Sequence, residues 1–144
     1  VQSCCPYLYF DGQADAAMNA YQKALGGELK LLRYSDAPAG GGEPPPGCGP
    51  VDKQRIMHGM LQFDGGMLMC SDAPNSGMAE KMGGMSVSVT FPDAAKARRV
   101  FDALADGAQQ VRMPFAQTFW ADGFGMLVDR FGTPWMIGGG QRAV

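Results

Sequence analysis

Met85-Ser86-Val87-Ser88-Val89-Thr90-Phe91, followed at once by Asp93 to Leu104, is the stretch that decides the fold, because here the chain repeats an order of elements already run once. The first part alternates apolar and hydroxyl side chains and reads as a strand. The second carries Ala97, Val100, Phe101 and Leu104 on one helical face and stops at Asp106-Gly107. The earlier copy is Pro6 to Phe10, an aromatic strand closed by Asp11-Gly12. A helix follows from Ala14 to Leu25, with Ala17, Ala20, Tyr21, Ala24 and Leu25 in phase and Gly26-Gly27 as its stop. Glu28 to Tyr34 then reads as a strand, and Arg55 to Phe63 with Gly66 to Ser71 as a hairpin about Asp64-Gly65. The second copy continues with strands at Gln109 to Met113, Phe124 to Asp129 and Pro134 to Ile137. Two βαβββ modules within a single domain are the simplest account, residues 1–72 and 85–144, joined by a linker over 73–84. Residues 37–50, with five prolines and five glycines, read as a long loop. The fold class is α+β. A four-stranded sheet with one helix leaves a face uncovered, so the modules are expected to join edge to edge into a curved mixed sheet around a concave cavity, helices outside.

Composition narrows the function classes. The chain has 144 residues, 12 Lys+Arg against 14 Asp+Glu and one His, a formal net charge of −2. Nucleic acid and anionic membrane surfaces are held through dense positive charge, so neither is expected as a partner. No apolar run approaches the roughly 18 to 20 residues that cross a bilayer, and the start lacks the basic-then-apolar order of a signal peptide, so a soluble cytoplasmic protein is expected. Cys4, Cys5, Cys48 and Cys70 form no C-x-x-C pair and read as thiols. The 21 glycines mark turns and loops, and the 11 methionines read first as adaptable core filler.

Alternation sorts the side chains. Leu8, Phe10, Leu61, Phe63, Val87, Val89 and Phe91 are expected beneath the helices. Cys5, Tyr7, Tyr9, His58, Met60, Gln62, Ser86, Ser88 and Thr90 then take the concave face. That mixture of aromatic, sulfur and hydroxyl groups suits a flat organic ligand. No glycine-rich loop runs from a strand into a helix to cradle a phosphate. The expected ligand-binding set is Tyr7, Tyr9, Met60, Cys70, Ser86, Gln117, Phe119 and Trp120. His58, the sole imidazole, is either a general base or a strand histidine satisfied by a neighbour. Gln117-Thr118-Phe119-Trp120 is equally readable as a core or dimer aromatic cluster. Asp72 and Asp129 fall in turns, where capping is the ordinary role. Ser86 has no acid or base spaced for a nucleophile triad.

Five segments, taken together, resemble one family. They are Pro6 to Gly12, Ile56-Met57-His58, Leu68 to Asp72, Thr118-Phe119-Trp120 and Asp129-Arg130-Phe131-Gly132-Thr133-Pro134-Trp135. Over nearly the whole chain the sequence resembles the PhnB-like branch of the vicinal oxygen chelate superfamily, which includes glyoxalase I, bleomycin-resistance proteins and extradiol dioxygenases. Members of the branch often carry the label 3-demethylubiquinone 3-methyltransferase-like. The resemblance implies that metal-dependent members place ligands on the first and last strand of each module. Those positions fall here at Cys5, Met69, Ser86 and Met136, none of them a His or carboxylate. Zn, Ni, Mn and Fe ions want such donors, so no metal or other cofactor is expected, although Cys5, Met69 and Met136 are soft, Cu(I)-type groups.

Two readings of function follow. In the favoured one the chain is a metal-free homodimer that binds a small aromatic or apolar molecule in the inter-module cavity, as bleomycin-resistance relatives do. In the alternative it is an isomerase, lyase or transferase using His58 as general base, with Gln117, Tyr9 or a serine hydroxyl orienting the substrate. A purely structural or protein-interaction module is the third and weakest reading.

Overall fold

A computed structural model describes residues 1–36, 51–77 and 79–143; the loop expected at 37–50, with Cys48, lies outside the described residues. The first half comprises β1 (Tyr7–Phe10), α1 (Ala14–Leu25), β2 (Glu28–Arg33), β3 (Ile56–Phe63) and β4 (Gly66–Asp72). The second comprises β5 (Val87–Phe91), α2 (Ala94–Ala105), β6 (Gln110–Ala116), β7 (Ala121–Val128) and β8 (Pro134–Gln141). Two mixed four-stranded sheets result, β1-β4-β3-β2 and β5-β8-β7-β6. In each, the first strand pairs parallel with the last and the remaining pairs are antiparallel. The α+β class and the twofold βαβββ repeat are therefore present. The chain divides into two compact units, Val1–Glu80 and Lys81–Val144.

In the first unit α1 buries Ala14, Ala17, Met18 and Tyr21 over a sheet face holding Leu8, Phe10, Ile56, Leu61, Leu68 and Cys70. Met18 completes the stripe in place of Ala20 and Ala24, since the long thioether reaches the sheet where a methyl group does not. In the second, α2 buries the expected Ala97, Val100, Phe101 and Leu104 over Val87, Val89, Leu127, Trp135 and Ile137. Each such large side chain contributes about 1.5–3 kcal/mol when fully buried.

The helices start differently. Asp93 caps α2 locally, its carboxylate accepting from the Lys96 N–H at 2.8 Å. Gln13 offers α1 no side-chain cap. The cap comes from the end of β4: Asp72 Oδ1 accepts from the N–H groups of Gly12 (2.8 Å) and Ala14 (3.0 Å), and Oδ2 accepts from that of Ile56 (2.9 Å). One buried carboxylate thus ties β4, β3 and α1 together. In the second unit Asp129 accepts from the backbone of Phe131 and Thr133 through Oδ1, and from Trp135 Nε1 at 2.8 Å through Oδ2. Asp129 acts within its turn as expected, whereas Asp72, expected in a turn, is the last residue of β4 and caps α1 across the unit.

Three strand boundaries differ from the sequence reading. β7 begins at Ala121 rather than Phe124, β8 runs on to Gln141 rather than stopping at Ile137, and β6 continues to Ala116. Gly138-Gly139-Gly140 and Gly123 carry no hydrophobic pattern, yet each lies where a side chain would meet a close neighbour, and at Gly139 that neighbour is the start of α2. A Cβ at Gly139 would collide with the Asp93 carbonyl oxygen and lie 2.8 Å from the Ala97 methyl group. Gly139 marks where α2 presses on the sheet.

Candidate functional site

In the first unit the strand register brings four of the singled-out side chains, Tyr7, Tyr9, Met60 and Met69, onto the sheet face away from α1, together with Lys30. Lys30, Met60, Met69 and Tyr7 are consecutive cross-strand partners, and Tyr9 lies one step along β1 opposite Ser71. Leu8 and Phe10 go the other way and are buried, whereas Tyr9 is 60% exposed. The Tyr7 and Tyr9 ring centroids are 5.1 Å apart, and those of Tyr7 and His58 are 5.9 Å apart. The Tyr7 hydroxyl meets His58 Nδ1 at 3.3 Å. When that hydroxyl donates, the ring carries its proton on Nε2 and offers that N–H as a donor.

Cys70 does not join this face, which corrects its place in the expected ligand-binding set. It pairs with Gly59 and Leu8 on the helix side and is fully buried. Its parity is that of Leu68, and its sulfur fills the space a Gly59 side chain would need. Burial, followed by the charge of Asp72, pushes its thiol up to about 12, so it is neither nucleophile nor metal ligand near neutrality. Cys5 is half-buried just ahead of β1.

In the second unit Ser86 is half-buried just before β5, and Met136 is the cross-strand partner of Ser88 and Met126. Gln117 to Trp120 form the turn between β6 and β7, closed by a Thr118 N–H to Ala121 carbonyl bond at 3.0 Å. Phe119 projects from it, 75% exposed, edge-on to Trp120, which packs in turn against Phe124 at 5.3 Å. Gln117, with its amide oxygen toward Arg142, accepts from that guanidinium at 2.6 and 3.0 Å. The same Arg142 pairs with Asp122.

A polar cleft of about 360 Å³ beside the start of α1 was not anticipated from the sequence; Arg33 and Arg55 flank it. Its charges satisfy one another: Arg33 pairs with Asp15, and Arg55 pairs with Asp11 at 2.8 Å while also donating to Ser76 and the Ala73 carbonyl. Hydrogen bonds from Arg55 and then from the Gly77 N–H hold the Asp11 carboxyl below its ordinary value. This is a clasp rather than a reaction site, and its pairings span 44 and 66 residues, beyond any local pattern.

The metal that the superfamily implies does not fit these residues. Cys5, Met69, Ser86 and Met136 provide a thiol, two thioethers and a hydroxyl, a set without imidazole or carboxylate. Among the described residues no cluster of three His, Cys, Asp or Glu side chains exists. No helix of the described chain is long and apolar enough to cross a membrane.

Comparison with known proteins agrees with the architecture. The family model described as 3-demethylubiquinone-9 3-methyltransferase matches residues 2–138. The chain is 34% identical over 137 residues to Protein YjdN of Escherichia coli (strain K12), covering 92% of this chain and 91% of that protein. It is 38% identical to protein PA1353 from Pseudomonas aeruginosa, whose crystal structure superposes with a TM-score of 0.82 over 99% of this chain and 100% of that one. At 12% identity it shares the fold of a glyoxylase/bleomycin resistance protein/dioxygenase domain from Frankia sp. EAN1pec, with a TM-score of 0.64 over 100% and 96% of the two chains. The chain belongs to the family whose model is described as 3-demethylubiquinone-9 3-methyltransferase, and it has the fold of the glyoxylase/bleomycin resistance protein/dioxygenase domain.

Proposed function

We propose that this chain binds a small aromatic or apolar molecule on the face of the first sheet away from α1, through Tyr7, Tyr9, Met60, Met69 and His58. The observation that carries this reading is the gathering of two neighbouring tyrosine rings, a cross-strand methionine pair and the imidazole on one partly exposed face. Aromatic rings and thioethers give a planar ligand dispersion contact without demanding a single shape. His58 Nε2 and Lys30 add donors for a carbonyl or carboxylate at its edge.

The family description names a methyl transfer, but S-adenosylmethionine does not fit the helix starts. Asp11-Gly12-Gln13 and Pro92-Asp93 are not glycine-rich loops, and the Gly12 and Ala14 N–H groups are already taken by Asp72. A screen of planar aromatic carbonyl and carboxylate compounds by thermal shift tests the binding reading. A Tyr7→Ala/Tyr9→Ala variant should lose about tenfold or more in affinity for a hit. Retention of wild-type affinity by that variant would place the ligand elsewhere.

One observation favours a second reading, His58 as general base: in the other tautomer Nδ1–H donates to the Tyr7 hydroxyl, which orients the ring and leaves Nε2 free to accept a proton. If turnover accompanies binding, His58→Ala should abolish it and Tyr7→Phe should reduce it. Unchanged turnover in His58→Ala removes the base.

A further inference from the structure

The second sheet carries a row of thioethers that ligand binding on the first does not use. Met113, Met126 and Met136 are successive cross-strand partners on β6, β7 and β8, and Ser88 on β5 ends the row. All three methionines are half-buried. Their neighbours Leu127, Trp135 and Ile137, which point the other way beneath α2, are fully buried. Met113 reaches the row through a backbone irregularity. β6 breaks register between Val111 and Met113, so that Val111 pairs with Leu127 on the helix side and Met113 with Met126 on the opposite side. Without this bulge the alternation would send Met113 to the helix side with Val111. Bulges re-aim side chains in this way and recur beside functional sites.

Directly opposed residues have Cβ atoms about 4.5–5.5 Å apart, within the span that flexible methionine side chains close around a common point. The charged side chain of β7 on this face, Asp122, lies four residues from Met126, about 13 Å along the strand, and is engaged by Arg142. The donors are therefore neutral sulfur, with a hydroxyl at the margin. Hard divalent ions require anionic oxygen and zinc prefers thiolate or imidazole, whereas thioethers select Cu(I). A single positive charge among neutral donors also costs less to bury than a double one.

We propose that Met113, Met126 and Met136 form a soft-metal site for Cu(I) on the face of the second sheet away from α2. It uses no residue of the ligand face of the first sheet. The test uses the full chain with methionine methyl groups labelled with carbon-13 and accessible thiols alkylated, titrated with Ag(I) as a redox-inert probe and anaerobically with Cu(I). The three row methyl resonances should shift together and saturate at one ion per chain, while the fully buried Met18 stays still and Zn(II) moves none of them. Met126→Leu, which keeps volume, should weaken Ag(I) binding by about tenfold or more, with Met136→Leu as the second variant should the first fail to fold. Row signals unmoved by one equivalent, equal shifts of every exposed methionine, or wild-type affinity in both variants would each overturn the site.

Discussion

At the residue scale a buried aspartate ties each unit together, Asp72 in the first and Asp129 in the second. Asp129 satisfies two backbone N–H groups and the Trp135 indole. Asp129→Asn turns one oxygen into an NH₂ that faces donors, so a loss of about 1.5–3 kcal/mol is expected in urea denaturation, with an unchanged denaturant slope. Asp11 behaves differently because it is at the surface. Its folded carboxyl is held below 3.8 by Arg55 and Gly77, so the clasp stabilises above the ordinary carboxylate value and is lost as pH falls through the depressed one. The stability difference between wild type and Asp11→Asn should therefore be present at pH 7 and vanish in acid, as pH-dependent melting would show. Cys70, raised by burial, should resist iodoacetamide until the chain unfolds, while exposed Cys4 reacts in the native state, a contrast peptide mass mapping would resolve.

At the element scale, glycines and caps decide what hydrophobic pattern does not. Gly139 lies where α2 crosses β8, and its missing Cβ lets the Asp93 backbone approach. Gly139→Ala should cost about 1–3 kcal/mol by overpacking, whereas Gly83→Ala, with nothing within 4 Å, should fall within about 0.5 kcal/mol of wild type in paired thermal melts. The two helices were legible from their spacing, Ala14–Leu25 residue for residue, because a long amphipathic stripe with a glycine stop is a strong local pattern. The extent of β6, β7 and β8 was not. Bulges at Val111/Met113 and Met113/Ala116 break the period of two, and a glycine run carries no period at all. The first of these bulges also assembles the methionine row, and the second coincides with the unread end of β6.

At the scale of the whole molecule, a net charge of −2 spread over 144 residues gives a polyanion little long-range attraction. The chain should elute from heparin at about 0.1 M salt or below; retention that falls steeply with salt would reveal a cationic patch. The repeat itself was the most legible property, since each module copies one strand and helix order and the paired topologies reproduce it. The candidate site was legible in part. Alternation placed Tyr7, Tyr9, His58 and Met60 on one face, because period two is local, but it did not reveal that Tyr7 and His58, 51 residues apart, meet.

The sequence by itself determined the α+β class, the twofold repeat, both helices and the inward or outward sense of regular strands, because all of these follow from periodicity within a few residues. Only the tertiary structure decided that Asp72 caps a helix 58 residues away, that Cys70 faces the core and that three methionines align across β6, β7 and β8. These depend on strand register and on where a bulge falls, which are set by packing between segments distant in the chain.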